Sequence, residues 1–599
     1  MTDYETRSVD VLVIGAGGAG LRAGIEAAAN GAKTAIVCKS LLGKAHTVMA
    51  EGGIAAALGN VWTDDSWKVH FRDTMRGGKM LNNWHMAELH AQESPDRVLE
   101  LESSGALFDR TPDGRILQRD FGGHRFARLA HVGDRTGLEM IRTLQNRAVA
   151  AGIEVFMECK IIRLLADASG AVCGALGIWR ESGTFIVFSA KAVILASGGI
   201  GKVWKFTSNS WESTGDGHAL ALWAGAELID MECVQFHPTG MIWPASARGL
   251  LVTEGVRGDG GILKNESGER FMFRYIPEYY AKETADTIEE ADQWYDDKSF
   301  RRPPDLLPRD EVARAINTEV KAGRGTPHGG VYLDIASRRS PEYIRRRLPS
   351  MYKQFKELAD VDITTQMMEI GPTCHYMMGG VRVDAETQAS TLAGLYAAGE
   401  VAGGMHGANR LGGNSLSDLL VFGRRAGMAA AEYARALARP AEPDPAEIGR
   451  IADEALAYFD HADGENPYAV HHELQEAMQS LVGIIRTASE LERAVGILDE
   501  LDGRAHGVAV EGHRQFNPAW HLALDLESML AVARATTLSA IARRESRGGH
   551  TRDDYPDPDP EHFGKVNMVT RLAGGRVTVT ERPVAPMPAR LAELLGDGH

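Results

Sequence analysis

Apolar and polar positions in the first forty residues follow the pattern of a strand, a tight turn, a helix and a second strand. Val9 to Ile14 is an apolar, β-branched run, followed by a glycine-rich turn and the Ala-rich stretch Leu21 to Asn30. Thr34 to Val37 is the next apolar run. Because short β-branched runs favour strands and longer Ala-rich stretches favour helices, this order predicts a strand, a turn, a helix and a second strand.

Two later apolar runs are predicted as further strands of the same sheet. They are Ala192 to Ala196, before Ser-Gly-Gly, and Gly394 to Ala398, before Gly-Glu. Between them, residues 249–369 are rich in charge and proline, as in Arg301 to Pro304, and are interpreted as an inserted domain able to act as a lid. The first domain is therefore predicted to be split in sequence.

The last third of the chain has a helical pattern followed by a short alternating one. Apolar residues recur at helical spacing after the prolines at 440, 443 and 445 and predict a helical bundle, with these stripes in its core. They are Ile448, Ile451, Ala452, Ala455, Leu456 and Phe459, then Leu474, Met478, Leu481, Val482 and Ile485. Val577 to Thr580 alternates after Gly574 and Gly575 and predicts a small hairpin.

These patterns predict an α/β protein with four parts. A Rossmann-like nucleotide-binding domain comprises residues 1–248 and 370–436, and an α+β capping domain, residues 249–369, is inserted into it. A helical domain follows at residues 437–553, and residues 554–599 form a C-terminal tail with the hairpin.

Composition narrows the function mainly by exclusion. The 599 residues are 44% hydrophobic and 24% charged, which is typical of a globular protein with several cores. The formal net charge of −16 repels phosphate groups, so we expect neither a nucleic-acid partner nor direct binding to an anionic bilayer. The opening MTDYETRSVD has no basic region followed by an apolar stretch, and no run of eighteen apolar residues occurs, so we expect no signal peptide and no membrane span.

The cysteines are scattered without any C-x-x-C pair. They are Cys38, Cys159, Cys173, Cys233 and Cys374. We therefore expect no disulfide framework, zinc site or iron–sulfur cluster on this chain, and a reducing compartment. If electrons leave this protein one at a time, their carriers lie on another polypeptide.

The glycine turn fits a dinucleotide-binding loop. Gly15, Gly17 and Gly20 occupy the G-x-G-x-x-G positions, with Ala16, Gly18 and Ala19 between them. Glycine at these positions permits the turn, lets a pyrophosphate approach the backbone and lets the helix pack on the strand, although a purely structural glycine turn is the alternative. The acidic residue that usually follows the second strand is replaced by Cys38-Lys39-Ser40, which argues against nicotinamide as the cofactor.

Six further segments carry a common resemblance. They are Ala45 to Gly53, Gln235 to Gly240, Thr253 to Gly258, Pro308 to Val312, Pro372 to Tyr376 and Gly407 to Leu411. Their order resembles that of the flavoprotein subunits of succinate dehydrogenases and fumarate reductases, the respiratory complex II family, from the first strand to about Pro556. The resemblance implies an FAD-dependent oxidoreductase that interconverts succinate and fumarate in electron transport and the tricarboxylic acid cycle.

The resemblance also implies a covalent flavin. Respiratory members attach the flavin 8α-methyl carbon to a histidine, and His46 occupies that position. The family usually has Arg-Ser before this histidine and Gln before the glycines, where this chain has Lys44-Ala45 and Glu51. An alkylated flavin is easier to reduce, which suits a poor hydride donor such as succinate. The alternative is a histidine in a polar turn.

By the same resemblance, four residues hold the two carboxylates of the substrate: His237, Thr253, His375 and Arg410. Arginine suits this task because its planar fork meets a carboxylate in two parallel hydrogen bonds. Arg309 matches the family's proton donor and acceptor, supplied through Glu254 and Arg257. Reasoning from residue types alone would nominate His237 or His375 instead, because arginine is normally no acid–base catalyst.

The remaining FAD contacts are likewise implied by the resemblance. They are the glycine turn from Gly15 to Gly20, Lys39, Ser40, Thr47, Glu51, Gly52, Gly53, Asp216, Glu400, Ser415 and Leu416. For Asp216 and Glu400, the alternative is a helix cap or a solvated carboxylate. We expect no metal ion on this chain.

Partners and rival functions follow from the same comparison. Respiratory members imply an iron–sulfur subunit and a membrane anchor with a quinone site, with this chain peripheral on the cytoplasmic face of the cell membrane. The alternatives are a soluble L-aspartate oxidase, against which His46 argues, and a flavin-binding assembly subunit with an idle site. The sequence does not give the physiological direction, the quinone, the anchor type or the oligomeric state.

Overall fold

The computed structural model describes residues 4–297, 299–461 and 463–596. The outer limits of the predicted domains, residues 1 and 599, lie outside these ranges. Within them the α-helices are α1 (Gly18–Ala29), α2 (Trp67–Gly77), α3 (Trp84–Ser103), α4 (Thr136–Ala150), α5 (Asp216–Ala224), α6 (Gly255–Gly258), α7 (Ile288–Gln293), α8 (Arg309–Lys321), α9 (Pro341–Arg347), α10 (Pro349–Ala359), α11 (Asn414–Ala436), α12 (Pro445–Leu456), α13 (Pro467–Leu481), α14 (Ala488–His506), α15 (Pro518–Ala542) and α16 (Ala589–Leu595).

The strands form four sheets. They are β1 (Tyr4–Ile14), β2 (Thr34–Val37), β3 (Ile54–Ala55), β4 (Gln118–Arg119), β5 (Leu129–Ala130), β6 (Glu154–Phe156), β7 (Cys159–Ala166), β8 (Val172–Trp179), β9 (Phe185–Leu195), β10 (Leu228–Ile229), β11 (Val234–Met241), β12 (Ile262–Lys264), β13 (Val331–Asp334), β14 (Met368–Met377), β15 (Gly380–Arg382), β16 (Leu395–Ala397), β17 (Ala402–Gly403), β18 (Val566–Ala573) and β19 (Arg576–Pro583). Single 3₁₀ turns lie at His46–Met49, Gly201–Val203, Ala245–Ala247, Phe271–Tyr275, Glu278–Tyr280, Pro304–Leu306, Ala457–Phe459 and Phe563–Lys565.

The largest sheet confirms the predicted strand–turn–helix start. Its order is β6-β2-β1-β9-β8-β7, and β16 pairs in parallel with β9. Strands β1 and β2 are parallel, with Val11 opposite Thr34, and β1 runs parallel to β9. Because β16 joins this sheet after the long insertion, the nucleotide-binding fold is split in sequence. The carboxyl ends of these parallel strands meet at one edge, where open α/β sheets bind ligands.

The predicted strands were too short in two places. The run Val9 to Ile14 is the end of the eleven-residue strand β1, and the run that begins at Ala192 is the end of the eleven-residue strand β9. The antiparallel strands β7 and β8 precede β9. All three strands are almost completely buried, so they carry near-continuous apolar runs without the alternation that marks a half-exposed strand.

The inserted segment forms its own layer. A second sheet, ordered β11-β14-β13-β12, packs with α8, α9 and α10 around a separate apolar core that includes Met241, Leu333 and Phe355. Strands β11 and β14 pair antiparallel at the boundary with the first domain. This sheet therefore links the insertion to the edge of the nucleotide-binding sheet.

Helices α12 to α15 form the predicted helical region. Asp444 caps α12 by accepting a hydrogen bond from the Ala446 N–H, and Pro445 takes the first helical position. Most residues of the predicted apolar stripes are buried in the core, whereas Leu456, Phe459 and Ile485 are half-buried. Phe459 lies in a 3₁₀ turn, and Val482 and Ile485 follow the end of α13. Within the described residues, no helix combines the length and hydropathy needed to cross a membrane.

The C-terminal hairpin is present. Strands β18 and β19 pair antiparallel from Val566 opposite Pro583 to Ala573 opposite Arg576. Gly574 and Gly575 both adopt positive φ in the turn, as a two-residue hairpin loop of the I′ type requires.

Candidate active site

A large cleft runs from the carboxyl edge of the first sheet to the face of the inserted segment. It has about 1570 Å³ of empty space, part of which is open to solvent. With two exceptions, all residues that the sequence analysis assigned to cofactor, substrate or proton transfer line it. The exceptions are Gly20 and Arg257, which lie behind the wall.

The glycine turn closes one end of the cleft. Gly15 has φ +116°, and a Cβ there would lie 2.2 Å from the Ala196 carbonyl oxygen. A Cβ on Gly20 would lie 1.9 Å from the Gly15 carbonyl oxygen, so Gly20 serves the close packing of helix on strand. Helix α1 begins at Gly18 without a side-chain cap. Its first N–H groups are thus available to an anion such as a pyrophosphate.

Lys39 lies in a buried ion network on the wall of this end. Its Nζ donates to Thr214 Oγ1 at 2.6 Å, Asp216 Oδ2 at 2.8 Å and Asp525 Oδ1 at 3.1 Å. Lys160 also donates to Asp525. Two ammonium groups and two carboxylates therefore balance one another. Asp216 is the first residue of α5 but is paired with Lys39, so it is not a solvated carboxylate.

His46 lies midway along the cleft in the 3₁₀ turn His46–Met49. Its Nδ1 is buried without a hydrogen-bond partner among the described residues. Burial, assisted by Arg410 and Lys202, lowers the pKa of His46 to about 4, so the ring is neutral and carries a free lone pair at pH 7. The donor set here, glycine backbone at one end and a neutral histidine in the middle, fits a flavin dinucleotide.

Two histidines follow His46 toward the other end. The ring centroids of His46 and His375 are 5.9 Å apart, and those of His375 and His237 are 5.2 Å apart. In the ladder between β11 and β14, Gln235 faces Tyr376 and Phe236 faces Cys374, so His375 is the extra residue of a β-bulge. A bulge redirects its side chain, which explains how a residue of a paired strand reaches the cleft.

Both histidine rings have a polar neighbour at Nδ1. Nδ1 of His237 lies 3.0 Å from the Thr239 carbonyl oxygen and 3.2 Å from the Thr239 N–H, and Nδ1 of His375 lies 2.8 Å from the Ser208 hydroxyl. In the tautomer whose Nδ1 accepts, the proton of the neutral ring lies on Nε2 and is available to a ligand. Burial, with Arg309 near His237 and Arg410 near His375, holds the pKa of both histidines well below the usual value.

Two arginines give this end of the cleft its positive charge. Arg309 is the first residue of α8, and Arg410 precedes α11. Arg410 donates from Nη1 to Ser415 Oγ at 2.9 Å. Burial, then the charge of Arg309, lowers the pKa of Arg410 to about 9. In a chain with net charge −16, this is the locally basic pocket that a dianion needs.

Glu254 lies beside Arg309, as the proton relay requires. Arg309 Nε donates to Glu254 Oε2 at 3.2 Å, and Arg257 Nη2 lies 3.9 Å from the same oxygen. Burial would raise the pKa of Glu254, but Arg309 and Arg257 outweigh it and lower the pKa. The backbone N–H of Gly122 also donates to Glu254 Oε1 at 3.1 Å. The 3.9 Å distance between Arg257 Nη2 and Glu254 Oε2 is longer than a hydrogen bond.

Two further carboxyl groups that line the cleft have raised pKa values. Burial and the nearby Asp134 raise the pKa of Glu51 to about 8, although a hydrogen bond with Thr253 opposes them. Burial raises the pKa of Glu400 to about 7, and Glu400 accepts a hydrogen bond from the Met377 N–H at 3.0 Å. Neither is a solvated surface carboxylate.

Sequence reasoning missed several residues that hold this site together. They are Gln235 behind the two arginines, the loop residues Phe121 and Gly122, and the pair of Lys160 and Asp525. Gln235 stands in a segment already identified and was open to discovery. Asp525 lies 486 residues from Lys39, so no local pattern could connect them.

Comparison with known proteins gives consistent matches over most of the chain. Residues 10–416 match the family described as FAD binding domain, and residues 471–593 match the family described as Fumarate reductase flavoprotein C-term. A fumarate reductase (CoM/CoB) subunit of Methanothermobacter marburgensis is 45% identical over 563 residues, covering 93% of this chain and 96% of that protein. The structure of Mycobacterium smegmatis Sdh1 in complex with UQ1 is 58% identical, with TM-score 0.86, covering 97% of this chain and 95% of that chain. An E. coli quinol fumarate reductase FrdA structure is 33% identical, with TM-score 0.88, covering 98% of each chain.

Proposed function

The chain belongs to the succinate dehydrogenase and fumarate reductase flavoprotein family of FAD-binding oxidoreductases, and from that premise we propose that it interconverts succinate and fumarate at a bound FAD. The resemblance found in the sequence is thereby confirmed. The observation that carries the proposal is the pair of arginines, the half-buried Arg309 and the buried Arg410, facing a glycine-lined cleft beside His237 and His375.

We assign the substrate residues by their place in the cleft. Arg410 donates from Nη1 to Ser415 and from Nη2 to Gln235, and its remaining N–H groups, including the Nε that has no partner among the described residues, take one carboxylate. Thr253, His237 and His375 offer uncharged donors for the remaining carboxylate oxygens. Because both carboxylates are fixed, the central carbon–carbon bond is held in one orientation, which lowers the entropic part of the barrier.

The proton and the hydride leave neighbouring carbons of succinate. Arg309 takes the proton from one methylene and passes it toward Glu254, with which it is hydrogen bonded. Bound FAD supplies the hydride acceptor at its N5 atom. Because Arg309 stands on the inserted segment, closure of that segment would bring the arginine to the substrate and exclude water from the site.

We propose that His46 carries the flavin through a covalent bond to its 8α-methyl carbon. The imidazole ring is neutral, and its Nδ1 has no hydrogen-bond partner among the described residues. Both features support a covalent role for this histidine. The backbone of the glycine turn would hold the pyrophosphate, and Lys39, Ser40, Asp216, Glu400 and Ser415 complete the site as the sequence implied.

We further propose that electrons pass to an iron–sulfur subunit and then to quinone, through a membrane anchor that keeps this chain peripheral on the cytoplasmic face. Support comes from relatives: the Sdh1 structure contains UQ1, and the FrdA chain belongs to a quinol fumarate reductase. We also propose that the domains of this chain end at residues 248, 369 and 436, as the sequence predicted.

Two measurements test this function. The purified chain is assayed for succinate oxidation with a dye acceptor and fumarate reduction with a reduced viologen, with L-aspartate as the competing substrate. We expect activity with succinate and fumarate and none with L-aspartate. Oxidation of L-aspartate without turnover of succinate would overturn the proposal.

The flavin bond has its own test. Acid-denatured protein on a gel should show flavin fluorescence at about 65 kDa, and His46→Ser should remove it. Release of all flavin from the unmodified chain would refute the covalent bond while leaving the substrate assignment standing.

A further inference from the structure

One buried amide joins the two arginines of the substrate end. The side chain of Gln235 is 1% exposed and lies behind the cleft wall. Its Oε1 accepts from Arg309 Nη1 at 3.4 Å and from Arg410 Nη2 at 3.0 Å. A single neutral oxygen therefore lies between two guanidinium groups that come from different parts of the fold.

The orientation of this amide is fixed by its other end. Nε2 of Gln235 donates to Asn409 Oδ1 at 2.8 Å and to the Arg410 carbonyl oxygen at 2.7 Å. Because both acceptors are oxygens, a flipped amide would place Oε1 against them and lose two hydrogen bonds. Asn409 in turn donates to Asp310 Oδ1 at 3.3 Å, on the helix that carries Arg309.

The oxygen has a specific electrostatic task. Two like charges in a buried site repel each other, and an acceptor dipole shared by both offsets part of that repulsion. Arg309 has two such anchors, Glu254 at Nε and Gln235 at Nη1, so loss of Gln235 would leave it free to rotate about the remaining bond.

We propose that Gln235 is a positioning residue that sets the distance and orientation between Arg309 and Arg410, and so aligns proton transfer with carboxylate binding. This inference rests on the proposed succinate–fumarate activity. Gln235 touches no substrate: it acts through the two arginines, and through Asn409 it ties their geometry to the inserted segment.

Two substitutions of similar length separate this role from simple packing. Gln235→Met removes the acceptor, and Gln235→Glu places a carboxylate between the arginines. The charged or titratable groups facing this point are Arg309, Arg410, Glu254, Arg257, His237, His375 and Asp310. The matched control is Gln388→Met, another buried glutamine, whose Nε2 bonds only the carbonyls of Asp384 and Ala385.

The readout is the pH dependence of succinate oxidation, measured with kcat and KM from about pH 6 to about pH 10. Carboxylate binding needs the charged form of Arg410, whose pKa is about 9, so the KM rises as the pH passes that value. A carboxylate at position 235 stabilises the charged guanidinium, so this rise in KM should move to higher pH in Gln235→Glu. Without the acceptor the two cations repel more strongly, so the rise should move to lower pH in Gln235→Met.

We expect kcat to fall by about ten- to a hundredfold in Gln235→Met, because a hydrogen bond to a charged group is lost. The kcat and pH profile of Gln388→Met should equal those of the unmodified enzyme. If Gln235→Met does not accumulate as folded protein, the shift in Gln235→Glu decides alone. Equal profiles in the unmodified enzyme and Gln235→Glu, or shifts of the same sign in both variants, would overturn the role.

The proposed function and this inference fail in different ways. An unmodified enzyme inactive with succinate and fumarate refutes the function. An active unmodified enzyme whose position-235 variants lose only thermal stability, with kcat per flavin and pH profile unchanged, refutes the positioning role alone.

Discussion

The two ends of the cleft treat charge in opposite ways. At the glycine-turn end, the two ammonium groups of Lys39 and Lys160 face the two carboxylates of Asp216 and Asp525, so the protein balances its own charges. At the other end, the ion pairs of Arg309 and Arg257 within the described residues share one carboxylate, that of Glu254, and Arg410 lies beside Arg309 with no ion pair of its own there. One end is complete without a ligand, and the other is short of negative charge.

This difference indicates what each end is for. A balanced, buried ion network fixes the shape of a wall and contributes little net attraction, so cofactor binding there depends on fit and backbone donors. An unbalanced pair of arginines, one buried and one half-buried, costs free energy until an anion arrives, and that cost is recovered when a dicarboxylate binds. The stored charge therefore selects substrates with two carboxylates.

Arg309→Met should break the unbalanced end with the largest effect. The flexible apolar side chain keeps the bulk but removes the group that accepts the proton, so kcat should fall about a thousandfold in both directions. Binding of fumarate should weaken much less, because Arg410, His237 and His375 remain. Steady-state kinetics and fumarate titration of the flavin absorbance check both expectations.

The control for this variant is Arg324→Met. Arg324 pairs with Glu319 and is 41% exposed, so its loss should leave kcat unchanged. An Arg309→Met enzyme with normal kcat would assign the proton to another group, and His237 would be the first to test.

Asp525→Asn should break the balanced end, with an effect on stability and not on substrate binding. The substitution leaves two buried ammonium groups facing Asp216 alone, which costs about 3 kcal/mol. The Tm measured by calorimetry should fall, whereas the KM for succinate should not change. Removing the partner as well, in Lys160→Met with Asp525→Leu, should recover part of the loss.

Glu527→Gln is the matched control on the same helix. Glu527 pairs with Arg163 at 2.9 Å but stands outside the lysine network, so a smaller drop in Tm is expected. Equal drops for Asp525→Asn and Glu527→Gln would mean that the network carries no special share of the stability.

The two ends also differ in how far the sequence predicts them. The glycine turn and the strands around it follow from local pattern, because Gly15 is required by a backbone contact with the adjacent strand and Gly20 by one within the same strand–turn–helix unit. The ion network at the same end does not follow from local pattern, because Asp525 joins it from the distant helix α15. Helix α15 is buried on nearly all sides, so periodicity along it does not say which residue meets the ion network.

At the other end, the residues were predicted by resemblance and their arrangement was not. His375 reaches the cleft through a β-bulge, which depends on the register of two strands more than a hundred residues apart. The contacts of Gln235 with both arginines depend on how the inserted segment packs. Such geometry is a tertiary property, so no pattern of residue types along the chain encodes it.

Glu51→Gln should sharpen the comparison with the smallest effect, because it changes charge at the substrate end only at alkaline pH. The folded pKa of Glu51, about 8, lies above the ordinary value of 4.5, so ionisation disfavours the folded state. Relative to the unmodified chain, the variant should therefore gain Tm as pH rises from about 4.5 to about 8, with no further gain above that.

Below about pH 8 the neutral carboxyl of Glu51 and the amide of the variant are equivalent, and the KM for succinate of the two proteins should match. Above it, the unmodified enzyme carries an extra negative charge near Thr253 that repels the dianion, and its KM should rise by roughly tenfold or less, whereas that of Glu51→Gln should not. Identical alkaline KM values in both proteins would show that the charge of Glu51 does not reach the substrate carboxylate, and that the positive excess of this end is set by the arginines alone.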